Sequence, residues 1–537
     1  MRKTAILCLI FSFSYGLDVT SGGVLSENQA AYDVRHYDIH LKVDPELKMI
    51  SGFVDITFNV LSNIGGLEID LVNDFNVSVT EIDGLSYPFQ HKNNKLFIDA
   101  SNLSKERLYT ARIVYKGKPP IAEKPPWSGG FTWAKSDDGY PWVAVSCQTN
   151  GAYIWYPCKE HPSDEPDSAD IRITVPEPLS VAANGLLQSV NVTEPYWQTW
   201  HWKTRYNINT YNINFTAGHF DLVDRTTSIL DNSLKMEFYV LKENSYGANA
   251  LLDQAEKHLS FYSRTFGPYP WIEEKFGLVQ TPYWGMEHQT INAYGNNYKN
   301  TDQGYDFLMF HEMGHEWWGN YLSASDWADF WIHEGFVVYA EAIYLEEQFG
   351  SDAYHAFFKH RMKDKIPLAH PIVPHRNATM KESSGLDPYN KGAYVLHMLR
   401  YLIGGDTLAA ILREFISMEK RLPHNQATTQ DFIDLVHSYT NVDFNWFFKV
   451  YLYETNLPVL NKKINQGSNH TFVEFNWENP GFKMPLEIKY STNTGIRMKK
   501  LSLTNNPTTV PIAQHSDVKI DPTNWILLTV SGSQQDP

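Results

Sequence analysis

Two histidines four apart, with a glutamate between them, stand in Phe307–Asn320, FLMFHEMGHEWWGN. Residues i and i+4 of a helix project from one face, so His311 and His315 can share one Zn²⁺ at about 2.0–2.1 Å each. Glu312 is angled off the ligand direction. It can reach a water without occupying a coordination position, as a general base must. A helix that merely buries two hydrogen-bonded histidines fits the same fourteen residues, and a third ligand decides between the readings. Glu334 follows His315 after eighteen intervening residues, in DFWIHEGFVVYAEAIY. A carboxylate near the start of so apolar a helix is costly to bury unless it is paired or metal-bound. The turn SASDWAD between two antiparallel helices would return it to the histidines. Three protein ligands and a water make a catalytic zinc site, one ion per chain.

HExxH, the eighteen-residue interval, the glutamate in W-x-x-E-G-F and the continuation HEWWGN together resemble the M1 family of zinc aminopeptidases, the aminopeptidase N relatives. The resemblance implies His311, His315 and Glu334 as zinc ligands and Glu312 as base. The family's second signature, G-x-M-E-N, is similar to PYWGMEHQT, where Gly285, Met286 and Glu287 match. Trp284 stands where the family usually has glycine, and His288 where it has asparagine. Glu287 thereby inherits the substrate's free α-amine. A carboxylate at a fixed distance from the metal pairs with an ammonium and sets only the first peptide bond over the ion. Tyr389, in DPYNKGAYVLHML, matches a family tyrosine whose hydroxyl supports the oxyanion, a place where a phenol donor meets developing charge. Gln148, in SCQTNGAYIWYPCKEHPSDEP, matches a residue that helps hold the amine, although the segment here is longer. Glu341 lies seven residues after Glu334 on the same helix face. It is placed either to orient a ligand histidine or to be a solvated acid. His333 and Glu316 point away from the ligand face and read as structural.

The activity so implied is release of N-terminal amino acids from peptides with a free amine. Three other readings share these residues. A thermolysin-type zinc endopeptidase would cleave N-acetylated peptides, and Glu287 argues against it. Epoxide hydrolysis occurs in a branch of the family. A non-catalytic peptide-binding scaffold would be favoured by loss of a ligand, the base or the tyrosine, and all five are present.

These residues need a frame, and the 537-residue chain is long enough for several domains. A net charge of -16 argues against a nucleic-acid surface. Arg2 and Lys3 precede an apolar run, Thr4–Phe13, too short to span a bilayer, with small residues at Ser14 and Gly16. Residues 1–16 read as a signal peptide, which predicts a soluble, exported protein, periplasmic or secreted, with no membrane span. Cys147 and Cys158 could pair in an oxidising compartment or remain two buried thiols. Sequons fall at Asn76, Asn102, Asn191, Asn214, Asn377 and Asn469.

Alternation at Tyr37, Ile39, Leu41 and Val43, and again at Val54, Ile56, Phe58 and Val60, predicts an N-terminal antiparallel β domain over 17–224. Helical spacing at Leu251, Leu252, Ala255, Leu259, Tyr262 and Phe266 opens a mostly helical domain over 225–456, thermolysin-like by resemblance. Alternation returns at Val473, Phe475 and Trp477, which predicts a small C-terminal β-sandwich over 457–537. The whole is a multidomain α+β chain. About eighty strand-patterned residues after Leu457 leave no place for the large helical lid of many relatives. Nothing in the sequence specifies an oligomeric state.

Overall fold

The computed structural model describes residues 20–417, 425–469 and 471–531, so the signal-peptide segment lies outside the described residues. The alternating stretches form long strands. Tyr32–Asp44 and Met49–Val60 pair antiparallel, and the apolar member of each couplet is buried. They lie at the centre of an eight-stranded sheet, with a four-stranded and a three-stranded sheet beside it. The expected all-antiparallel pairing is corrected in the eight-stranded sheet. Tyr32–Asp44 runs parallel to Ser168–Pro176, because more than a hundred residues intervene and the chain returns from the far end.

A second sheet order follows, of five strands: Phe220–Ile229, Asn232–Leu241, Phe276–Gln280, Asn292–Tyr294 and, at the edge, Gly285–Met286. The first of these strands runs through the boundary expected at 224/225, so this unit starts earlier than its sequence pattern indicated. Its three later strands are two to five residues long, too short for a periodic signal. Helix Ala248–Phe266 packs on this sheet through Leu251, Leu252, Ala255, Leu259, Tyr262 and Phe266, all buried.

The helix holding the two-histidine motif is shorter than expected. Asp306 caps it by accepting from the Met309 N–H at 3.1 Å, and it ends at Gly314, with His315 as its C-cap. The chain then turns through Trp317–Asn320 and re-enters helix at Trp331–Phe349. Gly335 on that helix meets Gly392 so closely that a Cβ there would lie 3.0 Å from the neighbouring backbone. That approach sets the turn Asp387–Lys391, which carries Tyr389, against the start of the helix that carries Glu334.

Beyond Val459 the strands form a four-stranded and a three-stranded sheet. Their apolar residues share one core with the helices, and Trp525 stacks on His397 with ring centroids 4.6 Å apart. A separate core fills the N-terminal sheets. Tyr389 borders both cores, so the site described next lies in the seam between them. Cys147 and Cys158 are buried free thiols, not a disulfide. Of the sequon asparagines, Asn214 is buried and donates to the Val145 carbonyl at 2.9 Å, while the other five are exposed. No helix among the described residues is long and apolar enough to cross a membrane.

Candidate metal centre and active site

His311, His315 and Glu334 converge. The two Nε2 atoms are 3.3 Å apart, and Glu334 Oε2 lies 3.5 Å from the first and 3.4 Å from the second. Ligands placed tetrahedrally at about 2.0–2.1 Å from an ion stand about 3.3–3.4 Å from one another. The three atoms are therefore spaced for a single zinc-sized centre. The Trp318 carbonyl accepts from His315 Nδ1–H at 2.9 Å, which leaves the Nε2 lone pair directed at the centre. Glu334 Oε2 is buried, faces both imidazoles and has no hydrogen-bond donor. Such an atom requires a cation. Burial works against charge on His315, but the carboxylates of Glu334 and then Glu287 overcome it and push the imidazole up to about 10. Burial also opposes ionisation of Glu334, yet the two histidines hold its carboxyl well below the usual range. By donor set, spacing and charge demand, the site fits Zn²⁺.

Glu312 and Glu287 flank this triad, with carboxylate oxygens of both within 4.8 Å of each other and of a His315 nitrogen. Burial and then the neighbouring Glu287 carboxylate push Glu312 well above the ordinary carboxyl range. That second trio, Glu287, Glu312 and His315, makes the poorer metal site. Glu287 Oε1 already accepts from Gln148 Nε2 at 2.5 Å and from the Tyr211 hydroxyl at 3.0 Å. Gln148 thus reaches in from the N-terminal sheets and orients Glu287. A Cβ on Gly285 would stand 2.4 Å from Glu312 Oε1 and 2.6 Å from Leu308 Cδ1, so only glycine leaves the base its place. Met286 is buried beside it. The Tyr389 ring lies parallel to that of His311 at 6.3 Å, and burial, then the Glu334 carboxylate, push its hydroxyl well above the ordinary phenol range. Glu341 accepts from the Tyr305 hydroxyl at 2.5 Å, while burial, against the opposing Glu334 carboxylate, pushes the His311 imidazole down.

Gln148, Gly285, Met286, Glu287, Glu312 and Tyr389 gather round the triad; Glu341 bonds Tyr305 instead, and His333 and Glu316 have other work. His333 Nε2 accepts from the Ala324 N–H at 3.0 Å, and burial pushes its imidazole down to about 3. Glu316 is a hub with four donors. Its Oε1 accepts from Thr290 N at 3.0 Å and Asn292 Nδ2 at 2.8 Å, and its Oε2 from Trp271 Nε1 at 2.8 Å and Asn320 Nδ2 at 3.2 Å. Asn320 in turn donates to the Glu287 carbonyl at 2.9 Å and accepts from Asn212 Nδ2 at 2.7 Å. This network fixes Glu287, the residue after strand Gly285–Met286, against the helix end that bears the histidines. Sequence reasoning missed Tyr211 and assigned no role to Asn320. Asn320 lay inside the quoted HEWWGN, whereas no local signal marks Tyr211.

Two histidines at the end of one helix and a glutamate from the next form a triad of the HExxH type that could hold a metal ion. The peptidase family M1 domain matches residues 251–451 and the peptidase M1 N-terminal domain matches 34–212, so this chain belongs to peptidase family M1. Endoplasmic reticulum aminopeptidase 1 of Mus musculus is 25% identical over 286 residues, which are 49% of this chain and 30% of that protein. Glutamyl aminopeptidase of Sus scrofa is 21% identical over 475 residues, 79% of this chain and 48% of that one. Aminopeptidase N of Escherichia coli (strain K12) is 25% identical over 291 residues, 49% and 32%. The chain thus spans half or less of the length of these relatives. An M1 zinc metallopeptidase from Deinococcus radiodurans has the same fold, with a TM-score of 0.69 at 22% identity over 80% of this chain and 96% of that one.

Proposed function

We propose that this protein is a zinc-dependent aminopeptidase that removes residues one at a time from the free amino end of peptides. The observation that carries the reading is Glu287, a buried carboxylate oriented by Gln148 and Tyr211 and set beside Glu312 and His315. Two acidic groups so close invite a cation, and a peptide ammonium pairs with Glu287 while its first carbonyl reaches the triad. The relatives named aminopeptidases support the same class, as does a neighbouring structure described as bound to a Tyr-Ser-Ala substrate.

His311, His315 and Glu334 would hold the ion. When bound, zinc supplies Lewis acidity at the scissile carbonyl and lowers the pKa of water there. Glu312 takes a proton from the attacking water and returns it to the leaving amine. Tyr389 donates a hydrogen bond to the carbonyl oxygen as charge develops on it. Glu287 and Gln148 fix the register, with Gly285 and Met286 along the peptide, so that only the first bond is presented. Glu341 steadies His311. On this reading one Zn²⁺ serves each chain, and the strands after Val459 form a small sandwich. The charged and apolar N-terminal residues make the protein an exported one.

A panel of aminoacyl chromogenic amides and their N-acetylated counterparts, with and without chelator, tests this. Chelator-sensitive cleavage of the free-amine set alone is expected. Cleavage of the acetylated set at comparable rates would overturn it.

A further inference from the structure

The three ligands differ in exposure: the side chain of His311 is 13% exposed, against 1% for His315 and 2% for Glu334. The site therefore opens on the His311 side. From His311 a run of rings leads outward. Phe307, one turn earlier on the same helix, lies 5.6 Å away between centroids; Trp284 is 6.2 Å from Phe307; Trp127 is 6.3 Å from Trp284. Both tryptophans are large apolar surfaces left open to solvent, Trp284 at 38% and Trp127 at 40%. They come from distant parts of the chain, one before the Gly285–Met286 edge strand and one from a loop of the N-terminal unit. Their meeting beside the centre is tertiary, not a local accident.

Taken with the reading above, on which this inference rests, the direction of a bound peptide follows. Glu287 and Gln148 hold the amino end, and the first carbonyl lies at the triad. The rest of the chain must leave by the open side, across His311 and past Gly285 toward Trp284. Gly285–Met286 is the edge of its sheet, pairing only with Asn292–Tyr294 among the described residues, so its other side can accept an extended peptide. We infer that Trp284 and Trp127, backed by Phe307, form an aromatic shelf that binds the side chain of the second or third residue of the peptide and favours aromatic and large apolar residues there. Preference downstream of the cut is then written in this shelf, where G-x-M-E-N sequences with glycine in place of Trp284 have no side chain to offer.

The test uses the zinc-loaded enzyme and two tripeptide series, Ala-X-Ala and Ala-Ala-X, with X as Phe, Leu, Ala or Asp. The wild type is expected to prefer Phe over Ala in at least one series by about tenfold in kcat/KM, and W284G and W127A each to reduce that ratio about five- to tenfold. The Ala-Ala-Ala rate within each variant controls for folding. Calorimetry on an E312Q background is expected to give the same ordering in Kd without turnover. Ratios unchanged in both variants, or a wild type indifferent to X in both series, would overturn the shelf while leaving the aminopeptidase reading intact. Failure to cleave any free-amine peptide, with the Kd ordering preserved, would overturn the activity instead.

Discussion

Replacing Glu316 by Gln is nearly isosteric, yet it should disturb both stability and substrate binding. The carboxylate accepts from four donors, two on each oxygen. An amide can serve one pair with its carbonyl, and its NH₂ then faces the other pair. If the Thr290 and Asn292 bonds are kept, the NH₂ opposes the indole N–H of Trp271, which can only donate, and the amide of Asn320. Asn320 cannot turn over to accommodate it, because it also donates to the Glu287 carbonyl and accepts from Asn212. Two buried donors therefore lose their acceptor. At about 1–3 kcal/mol each, the cost is about 4 kcal/mol, or about 4 °C in Tm for a chain this long. Movement of Asn320 releases the Glu287 backbone, so KM for free-amine substrates should rise more than kcat falls. Scanning calorimetry and steady-state kinetics on metal-loaded protein read both effects. A Tm within about 1 °C of wild type, with KM unchanged, would refute the hub.

Glu287→Gln should keep the bonds from Gln148 and Tyr211 but lose the charge, lowering kcat/KM for aminoacyl amides by about 10²–10³-fold in kinetic assays. Tyr389→Phe should lower kcat by about 10²-fold or more with little change in KM, as removal of an oxyanion donor does. Removing zinc with chelator should lower Tm, since three carboxylates then face one another without the ion, and saturating zinc should restore it. His258 lies edge-on among the rings of Tyr305, Phe310 and Tyr344, and burial pushes it down to about 3. Between that value and the ordinary one near 6.5 the unfolded chain binds a proton that the folded chain refuses, so stability is lost as pH falls. From pH 7 to 5 the loss is about 2 kcal/mol, and His258→Leu should reduce that drop by the same amount in urea titrations.

The convergence of His311, His315 and Glu334 was legible because its constraint is local: spacing on one helix and one turn to the next. The long strands were legible because half-burial imposes alternation. The short strands Phe276–Gln280 and Asn292–Tyr294 were not, since buried strands of three to five residues carry no period. The parallel partner of Tyr32–Asp44 was hidden for a different reason, as pairing direction depends on the path of the intervening chain. Tyr211 was invisible because its role is a tertiary contact between two units. Trp284 was noticed as a departure, but its partner Trp127, more than 150 residues away, could be supplied only by the fold.

The central claim, that Glu287 admits one residue beyond the bond cut, is tested most directly by mass spectrometry of a free-amine decapeptide during digestion. The account predicts a ladder of products shortened from the amino end by single residues, and no reaction of the N-acetylated decapeptide. Internal fragments appearing first, or equal digestion of the acetylated peptide, would contradict it.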